Sequence, residues 1–334
     1  MAREHQFASD AATESVEALS FEQTVPRALA HRQALGEVFV ADSMQVGEDE
    51  FLLAVQIPRA HSVWFDRCVA FHDPLSTAEA ARQSVFVVIH RHLGIPPGLP
   101  FSLQRMEFAM KDLAAYRDNE ASPLQGHLRL RVTRHGASLL LGGMSIDGEL
   151  TIGGEAALTV SGDIAFMPRG DYDALRAYRR ARKPLDGATA AAVSPLEPAA
   201  VGRLDARNVV IGAPEPHRDA GGATRYPLVI DRRHPSFFDH EYDHVPGPLI
   251  IEAWRQAAIV TAHAAGAVPT PVVALTGLDV AFADFGEFEG RVECSASLDP
   301  AVAPAAHAHV AVSVGLHQFG EQIAAGRIEL SPYP

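Results

Sequence analysis

The sequence predicts an α+β protein built from two copies of one unit, each a long buried helix wrapped by an antiparallel β-sheet, the two copies forming an intramolecular pseudo-dimer. Three observations carry this. Sliding the chain by 173 residues superposes His61 on His234, Phe65 on Phe238, Asp66 on Asp239, Glu79 on Glu252, Arg82 on Arg255, Gln83 on Gln256 and His90 on His263. So many polar and aromatic identities at one offset indicate an internal duplication. From Leu249 to His263 apolar residues fall on every face of a helix, the mark of a buried helix rather than an amphipathic surface one. Runs that alternate with period two then follow, as half-buried antiparallel strands do. A chain of 334 residues, 47% hydrophobic and 21% charged, has room for two such units. The expected organisation is a disordered tail at 1–20, repeat 1 at 21–182, a linker at 183–203 and repeat 2 at 204–334.

Taken in order, the polar, Ala- and Glu-rich start lacks periodicity, hence the tail. From Gly36 two β-rich runs, Glu-Val-Phe-Val-Ala and Phe-Leu-Leu-Ala-Val-Gln-Ile, are split by a turn-like Gly-Glu-Asp-Glu. The first helix should begin at Pro74 with Asp73 as N-cap and stop near Gly94, with Pro96 and Pro97 barring continuation. Strands are expected at 101–110, 127–133, 137–146 and 157–167. Asp171 to Arg182 reads as a short basic helix, taken as a solvated connector. Pro184, Pro195 and Pro198 mark the linker. Repeat 2 repeats the order, with strands at 208–211 and 226–230, the second helix to about Gly266, and strands at 271–283, 290–298, 307–317 and 321–330.

A formal charge of −13 argues against nucleic acid or anionic membrane as partner. Two cysteines, Cys68 and Cys294, without a CxxC neighbourhood, are expected to be free thiols in a reducing compartment. The N-terminus has no apolar core of a signal peptide, and no run is long and apolar enough to span a bilayer, so a cytoplasmic, soluble protein is expected. His240 and His244 have an i, i+4 spacing but sit in a Pro-flanked loop, so neither a metal site nor a cofactor is expected.

The polar residues of the helices are where chemistry should lie. Glu252, Arg255 and Gln256 share one helical face, and buried charges are retained only when paired or used. The stretch from Phe237 to Gln256, Phe-Phe-Asp-His-Glu-Tyr-Asp-His-Val-Pro-Gly-Pro-Leu-Ile-Ile-Glu-Ala-Trp-Arg-Gln, resembles the second signature of the A-factor biosynthesis (AfsA) hotdog family. The stretch Phe71-His72-Asp-Pro-Leu through Glu79-Ala-Ala-Arg-Gln83 is similar to its first. The resemblance covers nearly the whole chain from about residue 21. It implies a tandem (double) hotdog fold and an acyltransferase that joins a β-ketoacyl thioester, on acyl carrier protein or CoA, to the hydroxyl of dihydroxyacetone phosphate. The product would be a precursor of a γ-butyrolactone, butenolide or furan signal. A weaker likeness runs to the β-hydroxyacyl-ACP dehydratases, but Asp239 stands where a Gly precedes their His. A hotdog dehydratase or thioesterase is therefore the alternative, with a catalytically silent binding module as a third reading; a homodimer is left open.

Acyl transfer to an alcohol needs a base, donors for the oxyanion and a cationic clamp for phosphate. Glu252 is the expected base, its pKa raised by burial, with Arg255, His240 and Glu79 as further catalytic candidates. Arg255, Arg82 or Arg233 would grip phosphate. The amides of Gly247 and Leu249 would face the thioester oxygen, and Gln83, Gln256, His244 and His72 complete the substrate-binding set. Only repeat 2 keeps His240, His244 and the Pro-Gly step, so it is expected to carry the transfer while Glu79 and Arg82 shape the pocket. A buried Glu–Arg pair in each repeat, crossing between the helices, is the purely structural reading. His61 and His234 could brace the strand-to-helix loops, with His90 and His263 as structural residues. Cys68 as nucleophile has no counterpart in repeat 2 and no base beside it.

Overall fold

The computed structural model describes residues 18–135, 142–185, 192–214, 222–299 and 309–334. Repeat 1 contains β1 (Val40–Gln45), β2 (Glu50–Ile57), α1 (Pro74–Val87), β3 (Phe101–Met110), β4 (Leu124–His135), β5 (Gly143–Ile152) and β6 (Glu155–Phe166). A basic helix, α2 (Arg169–Ala181), follows. Repeat 2 contains β7 (Thr224–Pro227), α3 (Gly247–Ala264), β8 (Val273–Phe282), β9 (Val292–Leu298), β10 (Val310–Gln318) and β11 (Glu321–Pro332). All eleven strands form one antiparallel sheet in the order β1-β2-β4-β5-β6-β3-β8-β11-β10-β9-β7. The repeats join through their equivalent strands β3 and β8, with Arg105 opposite Ala281 and Phe108 opposite Leu278. Antiparallel pairing of equivalent strands is what a twofold relation between the halves requires. Each helix packs chiefly on its own half of the sheet, α1 on β2 and α3 on β9 and β10, with α1 also reaching β8 across the junction.

Local chemistry explains both helices. Asp73 caps α1 by accepting the Leu75 N–H, and Pro74 occupies the first turn. The helix ends in a π-helical turn, Val88–His92, before Gly94 takes a φ of 70°. Such turns are rare and cluster at functional sites. In α3, Leu249, Ile250, Ile251, Ala253, Trp254, Ala257, Ala258 and Ile259 are all buried, so the apolar girdle read from the sequence is a core helix.

Some expectations shift. Asn208 to Ile211 makes only an isolated bridge, Ile211 to Leu228, instead of a strand. The run expected at 137–146 becomes β5 at Gly143–Ile152, where Met144, Ile146, Gly148 and Leu150 supply the buried alternation; residues 136–141, like most of the expected tail, lie outside the described residues. The α2 helix is not a solvated connector. Arg176 is buried, donating twice to Glu287 at 2.9 Å and to the carboxylate and carbonyl of Asp243 at 3.0 and 2.9 Å, while Lys183 reaches Glu287 at 2.9 Å. Its sequence declares the cations, but their counterions lie on distant loops.

The two halves also brace each other. Asp66 of repeat 1 accepts the Leu204 and Asp205 amides at 2.8 and 3.2 Å. Asp239 of repeat 2 accepts those of Gln33 and Ala34 at 2.7 and 3.0 Å. The Ser62 and Ser236 hydroxyls meet between them at 2.8 Å. His61 Nδ1 accepts from the Val63 and Trp64 amides, and His234 Nδ1 from those of Ser236 and Phe237. Both imidazoles therefore carry their proton on Nε2, donated to Glu37 and to Asn208 Oδ1 respectively. These duplicated residues hold the loops that lead into the helices.

Candidate active site

Each helix presents the same four-residue cluster. In repeat 1, Arg82 donates through Nε and Nη2 to the two oxygens of Glu79 at 2.8 and 2.9 Å. Arg32, from the segment before β1, donates to Glu79 from the other side. Gln83 Nε2 bonds Glu79 at 2.9 Å and the Glu37 carbonyl at 2.8 Å, and its Oε1 accepts the Phe39 amide at 2.9 Å. In repeat 2, Arg255 donates to Glu252 at 2.9 and 2.7 Å, Arg203 reaches it at 3.1 and 3.0 Å, and Gln256 does so at 2.6 Å. Gln256 likewise takes the Asn208 carbonyl and the Val210 amide. Each glutamate is thus paired within its own repeat, not across the axis.

Electrostatics follow from this pairing. Burial alone would push both carboxyls up, but the two guanidiniums beside each and the hydrogen bonds they donate outweigh it. Glu79 is held well below the usual carboxylate range, and Glu252 near about 2. The expectation that burial would raise Glu252 into the range of a general base is therefore corrected. Its second arginine, Arg203, lies 49 positions away in sequence, and nothing in the helix motif announces it. A folded-state pKa below the unfolded one contributes stability that is present above about pH 4.3, the ordinary glutamate value, and lost as pH falls toward the folded pKa. Melting temperature should accordingly drop between pH 4.5 and 3, and the drop should be shallower in Glu252→Gln; equal slopes would contradict the pairing.

The clusters differ in what surrounds them. Along α1 the small residues Ala78 and Ala81 leave a groove between helix and sheet that is open to solvent on one side. Its walls are apolar, with Val85, Phe86, Leu103, Met106, Ile146, Val160 and Ile164, and Arg82 stands in its lining. At the 173-residue offset Ala78 and Ala81 become Ile251 and Trp254. Trp254 is fully buried, donates to the Gly315 carbonyl at 2.9 Å and fills the matching space. The half-buried Tyr333, whose ring lies 5.1 Å from Phe71, stands close enough to the Arg255 guanidinium to interact with its charge. Side-chain exposure is 21% for Arg82 and 6% for Arg255.

Comparison with known proteins finds the same tandem hotdog architecture. The sequence profile of the A-factor biosynthesis hotdog domain matches residues 13–124 and 187–334. The chain belongs to this family. It is similar to the 2-oxo-3-(phosphooxy)propyl 3-oxoalkanoate synthase of Streptomyces virginiae, 34% identical over 242 residues, 70% of this chain and 76% of that protein. Its likeness to the enzyme of the same name from Streptomyces griseus is 28% over 314 residues, 88% of this chain and 91% of the other. Among solved structures, the 12:0-ACP thioesterase from Umbellularia californica shares the fold with a TM-score of 0.50 and 13% identity, over 85% of this chain and 94% of that one.

Against this family frame the expected site residues divide. The loop of repeat 2 delivers His240 and Tyr242 to the repeat 1 cluster: their rings lie 4.2 Å apart, and the charges of Arg32 and Arg82 act on both. His240 Nδ1 is buried without a hydrogen-bond partner. Burial, with Arg32, lowers its pKa, so it is neutral at pH 7. Gln83 and Gln256 spend their donors and acceptors on the protein and are not turned to substrate. His244 bonds Asp243 at 2.6 Å in the α2 docking cluster. Arg233 is 90% exposed and paired with Asp231, away from either cluster, so it does not form a phosphate clamp. His72 is buried beside Asp118. The Leu249 amide donates to the Pro246 carbonyl at 3.1 Å and is not left for an oxyanion, while Gly247 opens α3 on the sealed side.

Sequence reasoning missed Arg32, Arg203 and His31. The signal exists at a second offset: Arg32 matches Arg203 at 171 residues, as Phe39 matches Val210, because the connection to the signature is two residues longer in repeat 2. His31 has a φ of 53°, a left-handed backbone that costs a non-glycine residue about 1 kcal/mol or more. Among the described residues no helix is long and apolar enough to cross a membrane, and no cluster of His, Cys, Asp and Glu is placed to hold a metal ion.

Proposed function

We propose that this chain carries out its acyl transfer at the groove of repeat 1, not at the Glu252 cluster of repeat 2. The name shared by its relatives describes an ester of a 3-oxo acid with a phosphorylated three-carbon ketone. The reaction is the condensation of a β-ketoacyl thioester with the hydroxyl of dihydroxyacetone phosphate. Such a substrate pair asks for an apolar slot for the acyl chain beside a cationic site for the phosphate. The observation that carries the assignment is the exchange of Ala78 and Ala81 for Ile251 and Trp254: one repeat opens a slot against its Glu–Arg cluster and the other fills it.

In this reading the acyl chain lies along Val85, Phe86, Met106 and Ile164, and Arg82 and Arg32 hold the phosphate. Arg32 supports this because its Nε and Nη1 are buried without protein partners, and unsatisfied guanidinium donors in an interior are costly unless a ligand takes them up. Glu79 is a fixed anion that orients the two arginines, its oxygens taken up by their guanidiniums. The thioester is delivered by acyl carrier protein or CoA. The test is mass spectrometry of the ester made from β-ketoacyl thioesters of graded length and dihydroxyacetone phosphate. Ala81→Trp, which copies repeat 2, should abolish product from long chains while the protein stays folded. Unchanged turnover of long chains would move the slot elsewhere.

A further inference from the structure

His31 and His90 form a half-buried pair packed against the wall of the groove, which the transfer, as described so far, does not use. His90 lies in the π-helical turn at the end of α1. Its Nδ1 donates to the Ile95 carbonyl at 2.6 Å, since a carbonyl can only accept, so in the neutral ring Nε2 carries a lone pair. That lone pair meets His31 Nε2 at 2.6 Å, which places the shared proton on His31 and leaves His31 Nδ1 as a free base. The His31 ring stacks on Phe86 with centroids 4.2 Å apart and 3° between planes, and lies 5.6 Å from Phe101. Both phenylalanines line the groove.

Repeat 2 supplies an internal control. His263, the counterpart of His90, bonds the matching carbonyl of Val268 at 3.3 Å. The counterpart of His31, at the 171-residue offset, is Gly202, whose φ is 70°. Both repeats need a left-handed residue here. The sealed repeat uses glycine, which adopts it freely, whereas the repeat with the groove places a histidine there against its backbone preference. Strain kept at one of two duplicated positions, in the repeat whose groove is open, indicates that the side chain is retained for a task.

Resting on the acyl-transfer reading above, we propose that His31 is the general base of the condensation and that His90 is its positioning residue. His31 Nδ1 removes the proton of the acceptor hydroxyl as that oxygen bonds to the thioester carbon. The tetrahedral intermediate collapses, the carbon–sulfur bond breaks, and the protonated imidazole returns the proton to the leaving thiolate; ester and thiol are the products. The His31, His90 and Ile95 relay fixes the tautomer as the third member of a hydrolytic triad does. In the empty protein, burial and the neighbouring His90, Arg82, His240 and Arg32 hold His31 near about 3. A phosphate seated on Arg32 and Arg82 would offset the part of that field the two guanidiniums supply, raising the basicity of the imidazole when the acceptor is bound.

The experiment compares His31→Asn, His31→Gly, His90→Gln and His263→Asn by steady-state ester formation, with melting temperature in parallel. Asn tolerates the left-handed backbone but cannot take the proton, so kcat should fall roughly a hundredfold or more with KM for dihydroxyacetone phosphate little changed. His31→Gly should be inactive and regain turnover with added imidazole, a rescue that a packing role would not produce. His90→Gln should lower kcat less, and His263→Asn should match the wild type. A folded His31→Asn with wild-type turnover, or a folded His31→Gly that imidazole does not revive, would overturn this assignment alone. A wild-type protein that made no ester from any β-ketoacyl thioester would overturn the reaction and the base together.

Discussion

Replacing Arg203 by Met is expected to cost about 3–5 kcal/mol of stability, the usual consequence of stripping one partner from a buried ion pair. Arg203 is 2% exposed and bonds Glu252 on one side and the Val63 and Asp66 carbonyls of the other repeat, at 2.8 and 3.0 Å. Removing it leaves Glu252 with a single arginine and strands two carbonyls at the junction of the repeats. The midpoint of denaturant unfolding reads the loss, and an unchanged midpoint would refute the account. The counterpart Arg32→Met should be milder in stability and severe in activity. Arg32 makes one bond to Glu79 and keeps two buried donors without protein partners.

The second large effect concerns Arg82. Its guanidinium is forked onto Glu79 and borders the groove, so Arg82→Ala should raise KM for dihydroxyacetone phosphate about a hundredfold, in line with losing a charge-assisted contact worth 2–5 kcal/mol. Arg82→Lys keeps the charge but not the fork and should recover only part of it. Arg255→Lys, in the filled half, should lower stability and leave the KM of the folded enzyme alone. Both variants are read in one assay with varied phosphate substrate. If Arg255→Lys raised KM and Arg82→Lys did not, the transfer would belong to repeat 2 after all.

Much of this molecule was legible from residues alone, because the features concerned are periodic or local. The duplication, the all-round apolar helix at Leu249 to His263, the Asp73 cap and the strand alternation each depend on neighbours within a few positions. The signature residues were found for the same reason, since Glu, Arg and Gln at spacings of three and four must share a helix face. The burial of Glu252 and Arg255 followed from that face. Local motifs do not say which cluster a loop serves: His240, His244 and the Pro-Gly step pointed to repeat 2, yet His240 lies where the charges of Arg32 and Arg82 of repeat 1 act on it.

Tertiary structure alone decided which half is open, which partners each charge has and therefore which groups are basic. Arg32 and Arg203 arrive from segments 47 and 49 positions away to depress the glutamates, and pKa depends on distance in space rather than in sequence. The groove likewise exists only because Ala78 and Ala81 face the β3, β5 and β6 wall while Trp254 turns into the matching space. Alanine and tryptophan were both plainly readable as buried, but whether a small side chain leaves a cavity or lets a neighbour close over it is settled by packing, and packing is a property of the assembled core.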